Sequence, residues 1–305
     1  MSSSAVKVGT WGGDRGSPVD ITAAPRRLES ISLRWGKVID WISFTYRDGD
    51  GNLHTAGPWG GAAKGQGEGD ENITLDASEY VTEVAGTIGP IGDAPHTISS
   101  LKFVTNRATY GPFGRGAGTP FNVPLDNASV VAMFARAGDY LDAIGFYVLP
   151  LEMGVVKIGP WGGEGGLHWD IPATATPLRL DSITVCSSLA VVDAISFRYW
   201  DAQGVKHDAG PWGGNDGDPY VIALEPSEFL TEVSGTFAYI GTQPTDAVTS
   251  LTFVTNLRKH GPFGDVDGTP FSVPVRDGGR IGALFGRGWD YIDAIGVYVR
   301  ASAGS

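Results

Sequence analysis

The sequence predicts an all-β chain built as two consecutive copies of one domain. Three observations carry this. Glycine supplies 45 of 305 residues without a low-complexity run. That disfavours helix, where Gly costs about 1 kcal/mol against Ala, and suits short strands joined by turns that need positive φ. Apolar and polar residues alternate with a period of two, as in Ile42, Phe44 and Tyr46 against Trp41, Ser43 and Thr45, which is the pattern of a half-buried strand. The second half of the chain repeats the first.

The repeat runs through the whole length. Val8-Gly-Thr-Trp-Gly-Gly13 returns as Ile158-Gly-Pro-Trp-Gly-Gly163, and Ile42-Ser-Phe-Thr-Tyr46 as Ile195-Ser-Phe-Arg-Tyr199. Ala56-Gly-Pro-Trp-Gly-Gly61 returns as Ala209-Gly-Pro-Trp-Gly-Gly214, and Ser100-Leu-Lys-Phe-Val-Thr-Asn106 as Ser250-Leu-Thr-Phe-Val-Thr-Asn256. Tyr110-Gly-Pro-Phe-Gly114 matches His260-Gly-Pro-Phe-Gly264, and Leu141-Asp-Ala-Ile-Gly-Phe-Tyr147 matches Ile292-Asp-Ala-Ile-Gly-Val-Tyr298. An offset of about 150 residues is a domain length, far longer than a solenoid repeat. The expected domains are 1–150 and 151–305, joined by the short seam Leu149-Pro-Leu-Glu-Met-Gly154. Val81-Thr-Glu-Val84, Leu101-Lys-Phe-Val-Thr105 and Ile144-Gly-Phe-Tyr-Val148 read as further strands, with Gly-, Pro- and Asp-rich turns between them.

Composition narrows the function. Lys and Arg number 22 against 34 Asp and Glu, a formal charge of −12. This argues against nucleic acid or an anionic membrane surface as partner, since both demand clustered basic residues. A single cysteine, Cys186, excludes an internal disulfide framework and a Cys-rich zinc site; it is expected to be a small half-buried strand residue. The five histidines are scattered and never paired at ligand spacing, so no metal and no cofactor is expected. The start, Met1-Ser-Ser-Ser-Ala-Val-Lys-Val-Gly9, has no apolar core behind a basic segment, and the expected compartment is the cytoplasm, with the nucleus as the alternative. The sequence leaves open whether copies associate as a homo-oligomer.

One motif carries chemistry. Gly138-Asp-Tyr-Leu-Asp142 is a turn running into the last strand of the first copy. Such a turn can present consecutive backbone N–H donors beside an ionised acceptor, a combination suited to hydroxyls, which both donate and accept. Alone it reads as a β-turn with a solvated Asp. A glycoside hydrolase using Asp139 and Asp142 is disfavoured, because two carboxylates on one turn cannot flank a scissile bond.

The ordered set is more specific. Trp-Gly-Gly followed by a further Gly, a Gly-Pro-Phe-Gly turn, and a GxxxD turn opening the last strand, all occurring twice, resemble the jacalin-related lectins, and within them the mannose-specific plant members. The resemblance implies a β-prism fold, three four-stranded Greek-key sheets per domain, a shape that strand periodicity alone does not separate from a sandwich. It implies reversible sugar binding without chemistry, metal or cofactor. Carried over, Asp142 accepts from sugar hydroxyls, the N–H groups of Asp139 and Tyr140 in the Gly138 turn donate, and Gly16 offers its N–H where a side chain would obstruct. In the second copy the pieces are Gly166, Asp290, Tyr291 and Asp293. There Trp289 stands where the pattern has Gly, which implies backbone strain if the position needs positive φ, and either a rearranged site or a stacking wall.

Some family members carry a second GxxxD turn per domain. Gly36, Lys37, Val38 and Asp40 fit it, with a partner loop ending Gly65-Gln-Gly67. In the second copy Ala190, Val191 and Asp193 follow Leu189, which replaces the glycine, opposite the loop ending in Gly217. Asp40 and Asp193 read equally as residues capping a turn at a strand start. The uninterrupted run from Met1 to Gly16 shows no cleavage before the sugar-facing loop, which by the resemblance favours mannose/glucose-type glycans, high-mannose ones among them, over galactose. The alternative is an interaction module whose second domain has lost sugar binding.

Overall fold

The computed structural model describes residues 4–61, 67–151, 155–241 and 244–302. Gly65 and Gln66 of the expected second loop, and part of the seam, lie outside the described residues. The chain divides into two compact units, Met1–Met153 and Gly154–Ser305. All regular structure among the described residues is strand.

In the first unit, β1 (Val6–Gly12) and β2 (Ser17–Val19) come from the start of the copy. They are followed by β3 (Pro25–Trp35), β4 (Ile39–Asp48), β5 (Leu53–Gly60) and β6 (Gly69–Thr74), then β7 (Val81–Ile91), β8 (Ala94–Thr105), β9 (Thr109–Gly114) and β10 (Thr119–Asp126), and lastly β11 (Ala128–Ala137) and β12 (Leu141–Pro150). They pair antiparallel in three four-stranded groups, β5-β4-β3-β6, β9-β8-β7-β10 and β1-β12-β11-β2. Each has the Greek-key order, the fourth strand returning beside the first. In the last group the key is split, since its first two strands end the copy and its last two begin it. A single pair, Val130 with Val81, links that group to the β7 sheet.

The second unit repeats this with β13 (Val156–Gly162), β14 (Leu167–Trp169), β15 (Pro177–Ser187), β16 (Val192–Asp201), β17 (Lys206–Gly213), β18 (Asp218–Ala223), β19 (Leu230–Tyr239), β20 (Asp246–Thr255), β21 (Lys259–Gly264), β22 (Thr269–Pro274), β23 (Arg280–Gly288) and β24 (Ile292–Arg300). The core of each unit is the set of inward residues of its three sheets. In the first these include Ile31, Ile42, Phe44, Val84, Leu101, Phe103, Ile144 and Phe146, all buried, spaced by two along their strands as a pleated sheet requires.

The closing sheet is also covered outside. A side chain at Gly145 would collide with the Phe134 ring, so Phe134 lies flat on the glycine, and the Lys7 ammonium sits 4.5 Å above that ring. Phe285, Gly296 and Lys157 repeat the arrangement, with Lys157 at 4.3 Å. This explains why β12 is buried on both faces where simple alternation predicts one.

Each sheet has one outer strand bearing the Gly-X-aromatic-Gly motif, and its aromatic pairs with an aliphatic residue of the neighbouring strand. The pairs are Trp11 with Ile144, Trp59 with Ile42 and Phe113 with Leu101; in the second unit they are Trp161 with Ile295, Trp212 with Ile195 and Phe263 with Leu251. The glycine after the aromatic packs on a backbone carbonyl. A Cβ at Gly12 would lie 2.3 Å from the Asp142 oxygen, and one at Gly60 or Gly114 would lie 2.3 Å from the oxygen of Asp40 or Ser99. No side chain fits there, which fixes glycine at six equivalent positions.

Candidate functional site

That register locates the site. The residue two places before each paired aliphatic sits where a β-turn meets a glycine-rich loop. It is Asp142, Asp40 and Ser99 in the first unit, and Asp293, Asp193 and Thr249 in the second. A period of two puts Asp142 on the same strand face as Ile144 and Phe146. A carboxylate therefore occupies a core-type position at the edge of the sheet, and it is 5% exposed.

Gly16 faces Asp142. Its φ is +63°, and an added Cβ would lie 2.5 Å from Asp142 Oδ2 and 2.5 Å from the carbonyl carbon of Ala137. Gly166, at φ +64°, faces Asp293 in the same way, with 2.3 Å to Oδ2. The Gly138 N–H donates to the Tyr140 carbonyl at 3.1 Å. Among the described residues no acceptor is bonded to the N–H of Asp139 or Tyr140. Two unspent donors thus lie beside a buried acceptor. Burial pushes the Asp142 carboxyl above the ordinary carboxylate range and neighbouring Asp139 adds to this, while the charges of Arg15 and Arg136 oppose it.

Arg136 was not singled out by the sequence reading. Its Nε and Nη2 donate to the Arg15 and Gly16 carbonyls at 3.1 and 2.8 Å. Arg287 does the same to Gly165 and Gly166 at 2.8 and 3.0 Å. These guanidinium forks hold the glycine loop against the carboxylate. The available signal was their equal spacing, two residues before Gly138 and Trp289. The loop is braced further by Arg15, which pairs with Asp93 at 3.0 Å. Gly61 donates its N–H to the Asp139 carbonyl at 3.2 Å, so the next sheet's loop supports the turn.

Trp289 requires a correction. Neither it nor Gly138 has positive φ, and the Trp289 N–H donates to the Tyr291 carbonyl at 3.1 Å just as Gly138 does to Tyr140. A Cβ at Gly138 would meet nothing closer than 3.4 Å. The position tolerates a side chain, so the expected backbone strain is absent and the turn of Asp290 and Tyr291 is not rearranged. The indole is 63% exposed and stands beside the turn.

The second pair of turns follows the same plan. Gly36 N–H donates to the Val38 carbonyl at 2.9 Å, with Lys37 exposed and Asp40 half-buried. Burial raises the Asp40 carboxyl, with Arg34 opposing and Asp70 and Glu68 adding to the rise. Arg34, the counterpart of Arg136, engages Asp70 at 2.7 Å instead of loop carbonyls. In the second unit the turn is one residue longer. Ser188, not Leu189, donates to the Val191 carbonyl, at 3.2 Å; Leu189 is the extra residue and is 97% exposed, with Ala190 beside it. Asp193 is 1% exposed and its Oδ2 has no hydrogen-bond partner among the described residues. A Cβ at Gly217 would lie 2.6 Å from that oxygen. Cys186 occupies the arginine position and is half-buried; burial and Asp193 raise its thiol.

The third vertex is closed in both units. Ser99 Oγ donates to the Ala117 carbonyl at 2.6 Å, and Thr249 Oγ1 to the Asp267 carbonyl at 2.6 Å. A hydroxyl replaces the carboxylate and is consumed by its own loop.

Fold and vertices together define a tandem β-prism protein whose turns offer paired donors and acceptors without a nucleophile or bracketing acid pair. The jacalin-like lectin domain family matches residues 8–147 and again 158–298, and the chain belongs to that family. A mannose/glucose-specific lectin of Parkia pendula is 34% identical over 303 residues, covering 97% of this chain but 65% of that protein. An agglutinin of Castanea crenata is 33% identical over 311 residues, covering 96% of this chain and 97% of that one. Among solved structures, a mannose-binding jacalin-related lectin from Ananas comosus is 40% identical with a TM-score of 0.45, covering 48% of this chain and 98% of its own. The chain thus spans about two thirds of the length of the Parkia relative.

Proposed function

We propose that the chain binds mannose- and glucose-type residues of glycans reversibly, with a first set of contacts at the vertex that opens the last strand of each copy. Asp142 accepts from two vicinal or primary hydroxyls, the N–H groups of Asp139 and Tyr140 donate to sugar oxygens, and the Gly16 N–H donates from the opposite side. Asp293, Asp290, Tyr291 and Gly166 act likewise in the second copy. The observation that carries the reading is the buried Asp142 carboxylate beside two unspent N–H donors. The specificity named for the two Parkia relatives supports the sugar class. Asp40 and Asp193, with Lys37, Val38, Ala190, Val191 and Gly217 around them, form a second site per copy; the unpartnered Asp193 oxygen favours this over a plain capping role. The case for a second copy that has lost sugar binding rested on Trp289 and Leu189; the Trp289 turn keeps the hydrogen bond of its counterpart, whereas the Leu189 turn is one residue longer.

Hydrogen bonds to a charged acceptor are worth about 1.5–3 kcal/mol. Asp142→Ala is expected to weaken methyl α-mannoside binding at the first vertex tenfold or more, read from the amide resonances of Gly16, Asp139 and Tyr140 in nitrogen-15-labelled protein. Unchanged shifts and affinity in that variant refute the assignment.

A further inference from the structure

The two copies differ most beside the vertex of Asp293. Trp169 stands at the register position of Val19, and Gly286 at that of Ala135. A Cβ at Gly286 would lie 2.1 Å from the Ala294 carbonyl oxygen and 2.8 Å from Trp169 Cζ2, so the glycine lets both the neighbouring strand and the larger ring approach. Trp169 then stacks on Trp212, with centroids 4.3 Å apart and planes 11° from parallel. With Trp289, Leu167 and His168 these rings line an open groove of about 620 Å³, within the roughly 300–1,000 Å³ of small-molecule clefts. Leu167 and Trp289 are each 63% exposed. Trp169 is 5% exposed, and its indole N–H finds no acceptor among the described residues. The acid at the rim, Asp170, is neutralised by Lys157 at 2.9 Å.

We infer that this groove is a subsite for the second pyranose ring of an oligosaccharide whose terminal residue occupies the Gly166 and Asp293 vertex; the inference rests on the sugar-binding reading of that vertex. The two are continuous, because Gly288 and Trp289 belong to both and Leu167 directly follows Gly166. A pyranose has a flat face of C–H groups and a rim of hydroxyls. The face suits indole walls, since apolar area withdrawn from water is stabilising. An aromatic groove whose rim acid is paired with Lys157 suits a neutral polyol better than a charged group. The first copy keeps Trp59 at the position of Trp212 but has Val19 and Gly138 where the second has Trp169 and Trp289, so the two copies read different lengths of glycan.

The test uses the full chain labelled with nitrogen-15 and compares methyl α-mannoside with an α-linked mannobiose. Mannobiose is expected to shift the indole N–H resonances of Trp169 and Trp289, assigned by substitution, and to bind the second-copy vertex about tenfold more tightly than the monosaccharide. Trp289→Gly is expected to collapse that ratio towards one. Trp169→Val, which installs the first copy's side chain and leaves Gly286 in place, gives the same result. A normal Asp293-dependent response to the monosaccharide with unshifted indoles and no gain for mannobiose overturns the subsite alone. No Asp293-dependent response to either sugar overturns both the vertex and the subsite. Unshifted indoles together with a dimer that Trp289→Gly dissociates make a second copy of the chain the occupant, and overturn the proposal.

Discussion

Gly16→Ala separates the two reasons for a glycine at the first vertex. The backbone there has φ +63°, and an L-residue in the left-handed region costs roughly 1–2 kcal/mol. The added methyl would also sit 2.5 Å from the Ala137 carbonyl carbon and 2.5 Å from Asp142 Oδ2. Non-bonded heavy atoms settle near 3.5–4.0 Å, so loop and carboxylate must separate by about 1 Å. Hydrogen bonds do not survive that displacement from the usual 2.7–3.2 Å. Losing the neutral Gly16 contact and one charge-assisted contact to Asp142 removes about 2–4.5 kcal/mol, or thirtyfold or more in affinity. Gly51→Ala is the control. Its φ is +84°, but no atom lies within 4 Å of the new Cβ. Both variants are expected to melt lower, by roughly 2–4 °C per kcal/mol for a unit of this size, while only Gly16→Ala loses methyl α-mannoside binding in a titration followed at the Tyr140 amide. Wild-type affinity in Gly16→Ala, or equal loss in Gly51→Ala, refutes the reasoning.

Arg136→Ala frees the carbonyls of Arg15 and Gly16 and is expected to weaken binding at the first vertex about fivefold to tenfold, with Arg287→Ala doing the same at the second; calorimetry should show little change in melting temperature. Burial raises the Asp142 and Asp40 carboxyls, so the folded chain holds these protons more tightly than the unfolded one. Their contribution to stability is therefore greatest in acid and falls as pH rises from the ordinary carboxylate value to the raised one. Asp142→Asn is accordingly expected to melt higher than wild type at neutral pH while binding sugar less well, and wild-type sugar affinity should fall in acid earlier than an exposed carboxylate titrates. Among the described residues no three His, Cys, Asp or Glu side chains cluster as a metal site, and EDTA is expected to leave mannoside binding unchanged; loss restored by calcium would refute this.

Strand content was legible because each strand has one buried face, so Ile42, Phe44 and Tyr46 announce themselves locally. The prism was not, because the closing of three sheets depends on pairings such as Val6 with Val148 that no local period encodes; only the ordered motifs, read by resemblance, reached it. The vertices Asp142 and Asp293 were found because their turns repeat. The turns of Asp40 and Asp193 were reached through the resemblance, but the third equivalent vertex was missed, since there Ser99 and Thr249 replace the carboxylate and only the Gly-Pro-Phe-Gly strand keeps the pattern. Arg136 went unnoticed because an arginine on an exposed strand end carries no sign of the carbonyls it meets. The expected strain at Trp289 was an inference from the glycine of the first copy, and that glycine proves to be demanded neither by φ nor by crowding at its Cβ.

The split Greek key bears on how the protein comes into being. Gly16 and Asp142 stand at opposite ends of one copy, yet they face each other so closely that a Cβ on Gly16 would lie 2.5 Å from Asp142 Oδ2. At synthesis rates of about 5–20 residues per second, the ribosome releases the partner of Gly16 roughly 6–25 seconds after Gly16 itself. The two middle sheets can pair while the nascent chain waits, since their strands are neighbours in sequence and close short loops first. The vertex of Gly16 and Asp142 then forms only when the last strand arrives, so a copy stalled before that strand lacks this vertex, and whatever the vertex binds reports that the domain was made to its end.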